Sequence, residues 1–122
     1  MKINAPVLVI EDDPDGQELV ARMLRRINIQ TEIAGTAEDA WRMLKTKQYA
    51  GAVIDLALPE QDGFQLLALI RQDLYISTLC CVAITAYDTP ELRHDAMANG
   101  FDGYFAKPLN QVQFLRFAEV MF

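Results

Sequence analysis

The stretch VIDLALPEQDGF, Val53 to Phe64, decides how this chain reads. An apolar run ends in a single carboxylate, Asp55, and Pro59 and the pair Asp62-Gly63 follow within eight residues. A short continuous apolar run is the pattern of a strand covered on both faces, and Pro and Asp-Gly are strong punctuators after it. Asp55 is therefore expected at the carboxyl end of a buried strand.

Working outward from Asp55, the same pattern recurs. Five strands can be read: Pro6–Ile10, Gln30–Ala34, Gly51–Asp55, Cys80–Thr85 and Gly103–Ala106. QTEIA alternates polar with apolar and suits a sheet edge, whereas the more continuous runs suit the centre. Between the strands lie helical patterns with recognisable ends. Leu19, Met23, Leu24 and Ile27 make the apolar face of a first helix. Thr36 with Asp39 reads as a capping box for a second, whose face is Ala37, Ala40, Trp41 and Leu44. Phe64, Leu67, Leu69 and Ile70 mark a third. Thr89-Pro90 opens a fourth that stops at Gly100, and Asn110 caps a fifth, Gln111–Phe122. Strands alternating with helices throughout predict an α/β fold, a mainly parallel sheet with helices on both faces. At 122 residues, with no repeat or linker, one domain spanning residues 1–122 is expected.

Composition narrows the function. No apolar run approaches the length of a membrane span, and the amino-terminal residues Met1–Pro6 lack the apolar core of a signal peptide, so a cytoplasmic protein is expected. The net charge of -6 argues against nucleic acid as a direct partner and is compatible with a bound cation. Cys80 and Cys81 are neighbours on a strand, facing opposite sides of a sheet, and imply no disulfide.

The polar groups fall at the carboxyl ends of the apolar runs: Glu11-Asp12-Asp13 after VLVI, Asp55 after GAVI, Thr85 after CVAI, and Lys107-Pro108 after YFA. In an open α/β sheet ligands bind at that edge. Carboxylates ~5 Å apart repel by about 3 kcal/mol at an effective dielectric near 20. One lysine cannot neutralise three of them, so a divalent cation is implied. Hard oxygen donors favour magnesium or manganese over zinc, and magnesium joined to carboxylates points to phosphoryl transfer.

With these four motifs in order, the sequence resembles the receiver domain of bacterial two-component response regulators, from VLVIEDDP through DLALPEQDGF and ITAYD to GYFAKP. The resemblance implies a flavodoxin-like, doubly wound sheet of five parallel strands in the order 2-1-3-4-5 with five helices. It implies that Asp55 is the phosphoacceptor, taking a phosphoryl group from a histidine kinase or phosphotransfer protein. Asp12, Asp55 and the backbone carbonyl of Ala57 would hold magnesium, with Glu11 reaching it directly or through water. Lys107 and Thr85 would bind phosphoryl oxygens, and Thr85 with Tyr104 would form the switch. The Lys107-Pro108 bond is expected to be cis. Glu11 replaces the usual first Asp, and Leu58 stands before Pro59 where Met is usual. Ala57 and Tyr87 occupy positions that control water in this family; Ala57 cannot orient a water and Tyr87 can shield phosphorus, so slow self-hydrolysis is expected.

The resemblance places output through the fourth helix, fifth strand and fifth helix, to an output partner or a second copy. The fifth helix has apolar residues on more than one face, Val112, Phe114, Leu115, Phe117, Val120, Met121 and Phe122, which fits either a docking surface or surplus residues at a frayed end. Trp41 is read as a packing residue, His94 as a solvated one, and the cysteines as small hydrophobes. Two other functions compete with the switch. A phosphatase using Asp55 as nucleophile would need a leaving-group acid where Ala57 stands, and a receiver-like interaction module would work without phosphorylation. The sequence stops after the fifth helix, so a stand-alone carrier and a piece of a larger regulator or hybrid kinase both remain open.

Overall fold

The chain alternates strand and helix from end to end. In a computed structural model, residues 4–58 and 62–122 are described; Pro59 of the strand-end motif lies outside the described residues. The elements are β1 (Val7–Ile10), α1 (Pro14–Arg25), β2 (Thr31–Ala34), α2 (Ala37–Leu44), β3 (Gly51–Asp55), α3 (Gly63–Gln72), β4 (Cys81–Thr85), α4 (Pro90–Ala98), β5 (Gly103–Ala106) and α5 (Gln111–Met121). All neighbouring strands pair in parallel, in the order β2-β1-β3-β4-β5. This is the doubly wound arrangement, with helices on both faces of five strands.

Alternation along β1 shows why its run is continuously apolar. Leu8 and Ile10 enter a core shared with α2, α3 and α4, whereas Val7 and Val9 enter a second core shared with α1 and α5. Each fully buried side chain of this kind contributes about 1.5–3 kcal/mol. β2 is the edge strand its alternation predicts, and its Glu32 accepts the Tyr49 hydroxyl at 2.7 Å and pairs with Lys47.

The helix faces differ from the sequence reading by single positions. In α1 it is Val20 that is buried with Met23 and Leu24, while Leu19 is exposed; in α3 it is Leu66 that is buried with Leu67 and Ile70, while Leu69 is exposed. In α1 the neighbours Leu19 and Val20 compete for the stripe, and Val20, three and four residues before Met23 and Leu24, reaches the sheet; in α3 Leu66 and Leu67, four and three residues before Ile70, both do, and Leu69 falls outside the stripe. The capping box of α2 is half made. Thr36 Oγ1 accepts the Asp39 N–H at 3.0 Å, but the Asp39 carboxylate is taken by Arg42. α4 starts with Thr89 accepting the Leu92 N–H at 3.0 Å and stops at Gly100, whose φ of +107° suits glycine.

α5 locks onto the sheet through aromatic rings seated over glycines. Phe114, Ala118 and Phe122 are buried, while Val112, Val120 and Met121 are exposed, so the carboxyl end is packed and a residual apolar strip faces outward. A Cβ on Gly51 would lie 2.2 Å from the Phe122 ring and 3.0 Å from the Cys80 carbonyl oxygen; one on Gly103 would lie 2.7 Å from the Phe117 ring. The Gly51→Ala variant is expected to lose about 1–3 kcal/mol, since ring and backbone must both give way. A lowered urea midpoint with unchanged denaturant slope would register it.

At the opposite end of the sheet from Asp55, Arg71 ties three segments together. Its guanidinium donates to the carbonyls of Gly100 (3.1 and 2.8 Å), Ser77 (3.0 Å) and Leu79 (2.7 Å), and to Asp102 Oδ2 at 3.0 Å. The same Asp102 oxygen accepts the Cys81 N–H at 2.8 Å, at the start of β4. All five guanidinium donors are used.

Candidate functional site

Strand register builds the site. Ile10 stands opposite Ile54, so the next residues, Glu11 and Asp55, emerge side by side from adjacent strands. Asp55 is opposite Ile84 and Thr85 opposite Ala106, which brings Thr85 and Lys107 out at the same edge. Carboxylate oxygens of Glu11, Asp12 and Asp55 lie within 4.8 Å of one another. Glu11, Asp55 and Thr85 are buried, and Asp12 is exposed at the mouth.

Lys107 is the cation inside this cluster. Its ammonium donates to Glu11 Oε1 and to Asp55 Oδ2, the latter at 3.1 Å. The other Asp55 oxygen, Oδ1, accepts the Ala57 N–H at 3.0 Å. Burial first, and then the neighbouring Asp55, push the Glu11 carboxyl up to about 7, against the opposing pull of Lys107. For Lys107 burial acts to lower its pKa, but hydrogen bonds to Glu11 and Asp55 outweigh it and hold the ammonium above the usual lysine range. Burial and the neighbouring carboxylate thus outweigh the single ammonium at Glu11. The donor set is all hard oxygen and suits magnesium or manganese.

The loops at this edge are shaped by caps and close approaches. Asp13, third of the acidic run, is occupied as the α1 cap, accepting the Gly16 N–H at 2.9 Å, and Gln17 donates to the Glu11 carbonyl at 2.6 Å. The Asp62-Gly63 pair has two separate tasks. Asp62 caps α3 by accepting the Gln65 N–H at 2.9 Å, and a Cβ on Gly63 would come within 2.9 Å of the Asp55 carbonyl oxygen. Gly63 thus lets α3 begin directly against the end of β3.

Thr85 Oγ1 accepts the Tyr87 N–H at 3.0 Å, and the Tyr87 side chain is 72% exposed. Tyr104 is buried; its hydroxyl donates to Asp88 Oδ1 at 2.8 Å, and the Arg93 guanidinium sits 4.7 Å from the ring centre. Burial, and then Asp88, push this phenol up to about 12. The Lys107-Pro108 bond is cis, and Ala57 is exposed beside Asp55. A cleft of about 240 Å³ runs past the site between Leu19 and Pro108, with Glu11 and Lys107 in its wall.

Away from this edge, Trp41 packs against the core with Lys45 5.3 Å from its ring centre, and His94 is exposed on α4. Burial pushes the Cys80 and Cys81 thiols up to about 12. Sequence reasoning missed Asp88 and Arg93, the residues that touch Tyr104. An acid three residues beyond Thr85 was the one available signal.

Comparison with known proteins decides the family. Residues 7–119 match the response regulator receiver domain. The chain belongs to that family. Among curated relatives, an uncharacterized 14.6 kDa protein of Leptolyngbya boryana is 34% identical over 113 residues, covering 93% of this chain and 86% of its own. The heme response regulator HssR of Staphylococcus saprophyticus is 30% identical over 83% of this chain, and the transcriptional regulatory protein PmrA of Pectobacterium parmentieri 32% over 84%. This receiver domain spans only 44% and 45% of those two proteins. Its fold matches the chemotaxis protein CheY4 of Vibrio cholerae with a TM-score of 0.87 at 20% identity, covering 97% of this chain and 98% of that one. It also matches the receiver domain of a sensor histidine kinase from Pseudomonas aeruginosa, with a TM-score of 0.86 at 24% identity and 96% of each chain covered. Among the described residues, no helix of the receiver domain is long and apolar enough to cross a membrane.

Proposed function

We propose that residues 1–122 act as one cytoplasmic receiver domain that takes a phosphoryl group onto Asp55 from the phosphohistidine of a histidine kinase or phosphotransfer protein. The observation that carries this reading is the setting of Asp55: buried at a strand end, gathered with Glu11 and Asp12, and hydrogen-bonded to Lys107 and the Ala57 N–H. Asp55 attacks phosphorus; the new P–O bond forms as the P–N bond breaks, and the imidazole leaves with the bonding pair. Lys107 stays beside Asp55 to pair with an equatorial phosphoryl oxygen, and Thr85 turns its hydroxyl to another. Glu11, Asp12, Asp55 and the Ala57 carbonyl would hold magnesium, or manganese, which offsets the charge of the incoming group. The related fold from Pseudomonas aeruginosa has magnesium coordinated in its active-site cleft, which supports this reading.

Exposed Leu19 and Pro108 give the donor an apolar rim beside Lys107. The phosphoryl group stays on Asp55 as an acyl phosphate, so the chain is itself the substrate that is modified and acts as a switch and not a turnover enzyme. Ala57 offers no group to orient water, which slows self-hydrolysis; Tyr87, turned to solvent, would have to swing inward to add shielding. The changed Thr85 and Tyr104 arrangement alters partner binding along α4, β5 and α5, where Met97, Val112, Val120 and Met121 are exposed to an output partner or a second copy.

Incubation with a small acyl or amido phosphodonor, followed by intact-mass measurement, tests the reading. One phosphoryl increment is expected with magnesium, and little after chelation. An unmodified mass under both conditions would remove it.

A further inference from the structure

The loop between β4 and α4 is tied to the sheet edge twice. Thr85 Oγ1 holds the Tyr87 N–H, and one residue further on Asp88 Oδ1 holds the Tyr104 hydroxyl of β5 at 2.8 Å. Arg93, one turn into α4, lies over the Tyr104 ring, 4.7 Å from its centre. Tyr104 is 6% exposed although Asp88 and Arg93 are both surface residues. A phenol at the rim of a core has two favourable places, inside with a partner for its hydroxyl or outside in water. The carboxylate of Asp88 supplies the inside partner, and the guanidinium covers the ring face.

We infer that Asp88 is a positioning residue which, with Arg93, holds Tyr104 in the buried arrangement before phosphorylation and so sets the resting balance of the switch. The link to the switch rests on the phosphoacceptor reading above; the hold on Tyr104 does not. A charge-assisted hydrogen bond is strong enough that its loss shifts a two-state balance by roughly tenfold or more. Because Asp88 lies in the loop that leaves β4 at Thr85, and Thr85 Oγ1 holds the Tyr87 N–H of that loop, an arrangement fixed through Asp88 is felt at the Thr85 hydroxyl that meets the phosphoryl group.

The test labels the four tyrosines with meta-fluorotyrosine and assigns the Tyr104 fluorine signal by its loss in Tyr104→Phe. In the native chain this signal is expected to be insensitive to exchange of light for heavy water, unlike those of exposed Tyr75 and Tyr87. Asp88→Ala is expected to move it toward the exposed pair and make it solvent-sensitive, in a chain that still unfolds in one cooperative transition. Asp88→Asn, which keeps an acceptor oxygen, is expected to restore it in part, and Arg93→Gln to shift it less than Asp88→Ala. A Tyr104 signal that stays buried in Asp88→Ala overturns the inference. In a second arm, Asp88→Ala takes up phosphoryl from the small donor several-fold more slowly; an unchanged rate beside a shifted signal overturns the link to the switch. A native chain that takes up no phosphoryl group sinks the proposed function, while the spectra still judge Asp88 alone.

Discussion

Asp55→Asn is expected to reduce phosphoryl incorporation to the detection limit while leaving the chain folded. The substitution keeps the shape of the side chain and one acceptor oxygen for the Ala57 N–H, which Asp55 accepts at 3.0 Å. It removes the anionic oxygen that must attack phosphorus, and an amide oxygen is a far weaker nucleophile. It also relieves repulsion within the acidic cluster, so stability is expected to hold or rise. Intact mass after exposure to a phosphodonor and magnesium, beside a thermal melt, gives both readouts. Retained incorporation would place the acceptor elsewhere. Lys107→Ala offers a graded comparison: the acceptor remains, but a positive partner of the transferring group is gone, and losses of about 10²–10³ in rate are typical of such electrostatic deletions.

The second large effect concerns folding. Arg71→Ala is expected to destabilise the domain by about 1–3 kcal/mol, the cost of leaving partly buried acceptors without their donor. The cost lies in what stays behind. The carbonyls of Ser77, Leu79 and Gly100 and the carboxylate of Asp102 all lose a donor, and Asp102 must still serve the Cys81 N–H. Lysine at the same position keeps the charge but not the planar five-donor fork, so Arg71→Lys is expected to recover less than half of the loss. Urea unfolding monitored through Trp41, the one tryptophan, measures both variants. A loss near zero for Arg71→Ala would show that the carbonyls find water at no cost.

Much of the fold was legible because the central strands are continuous apolar runs and the helices carry their own punctuation. Thr89-Pro90, Gly100 and Asn110 act locally, through caps and φ, and local signals survive without knowledge of the tertiary structure. The errors came where adjacent apolar residues compete for one stripe. Leu19 and Val20 differ by one position, and sequence alone does not say which points at the sheet until a neighbouring helix fixes the rotation. The acidic site was legible for a different reason: residues at the ends of parallel strands converge whatever the loop details. Arg71, Asp88 and Arg93 were not legible. Each is a charged residue in a helix or loop, where solvation is the default, and each gains its partners from segments distant in sequence.

The two outer strands carry a consequence for self-association. β2 is four residues long and bears Glu32 locked to Lys47 and Tyr49, and β5, also four residues, runs directly into Lys107 and Pro108. Short borders carrying fixed charge, or ended by a proline, are poor templates for backbone pairing with a neighbour. Short edges of this kind disfavour fibril-like stacking of crowded copies and leave side chains as the better means of contact between them.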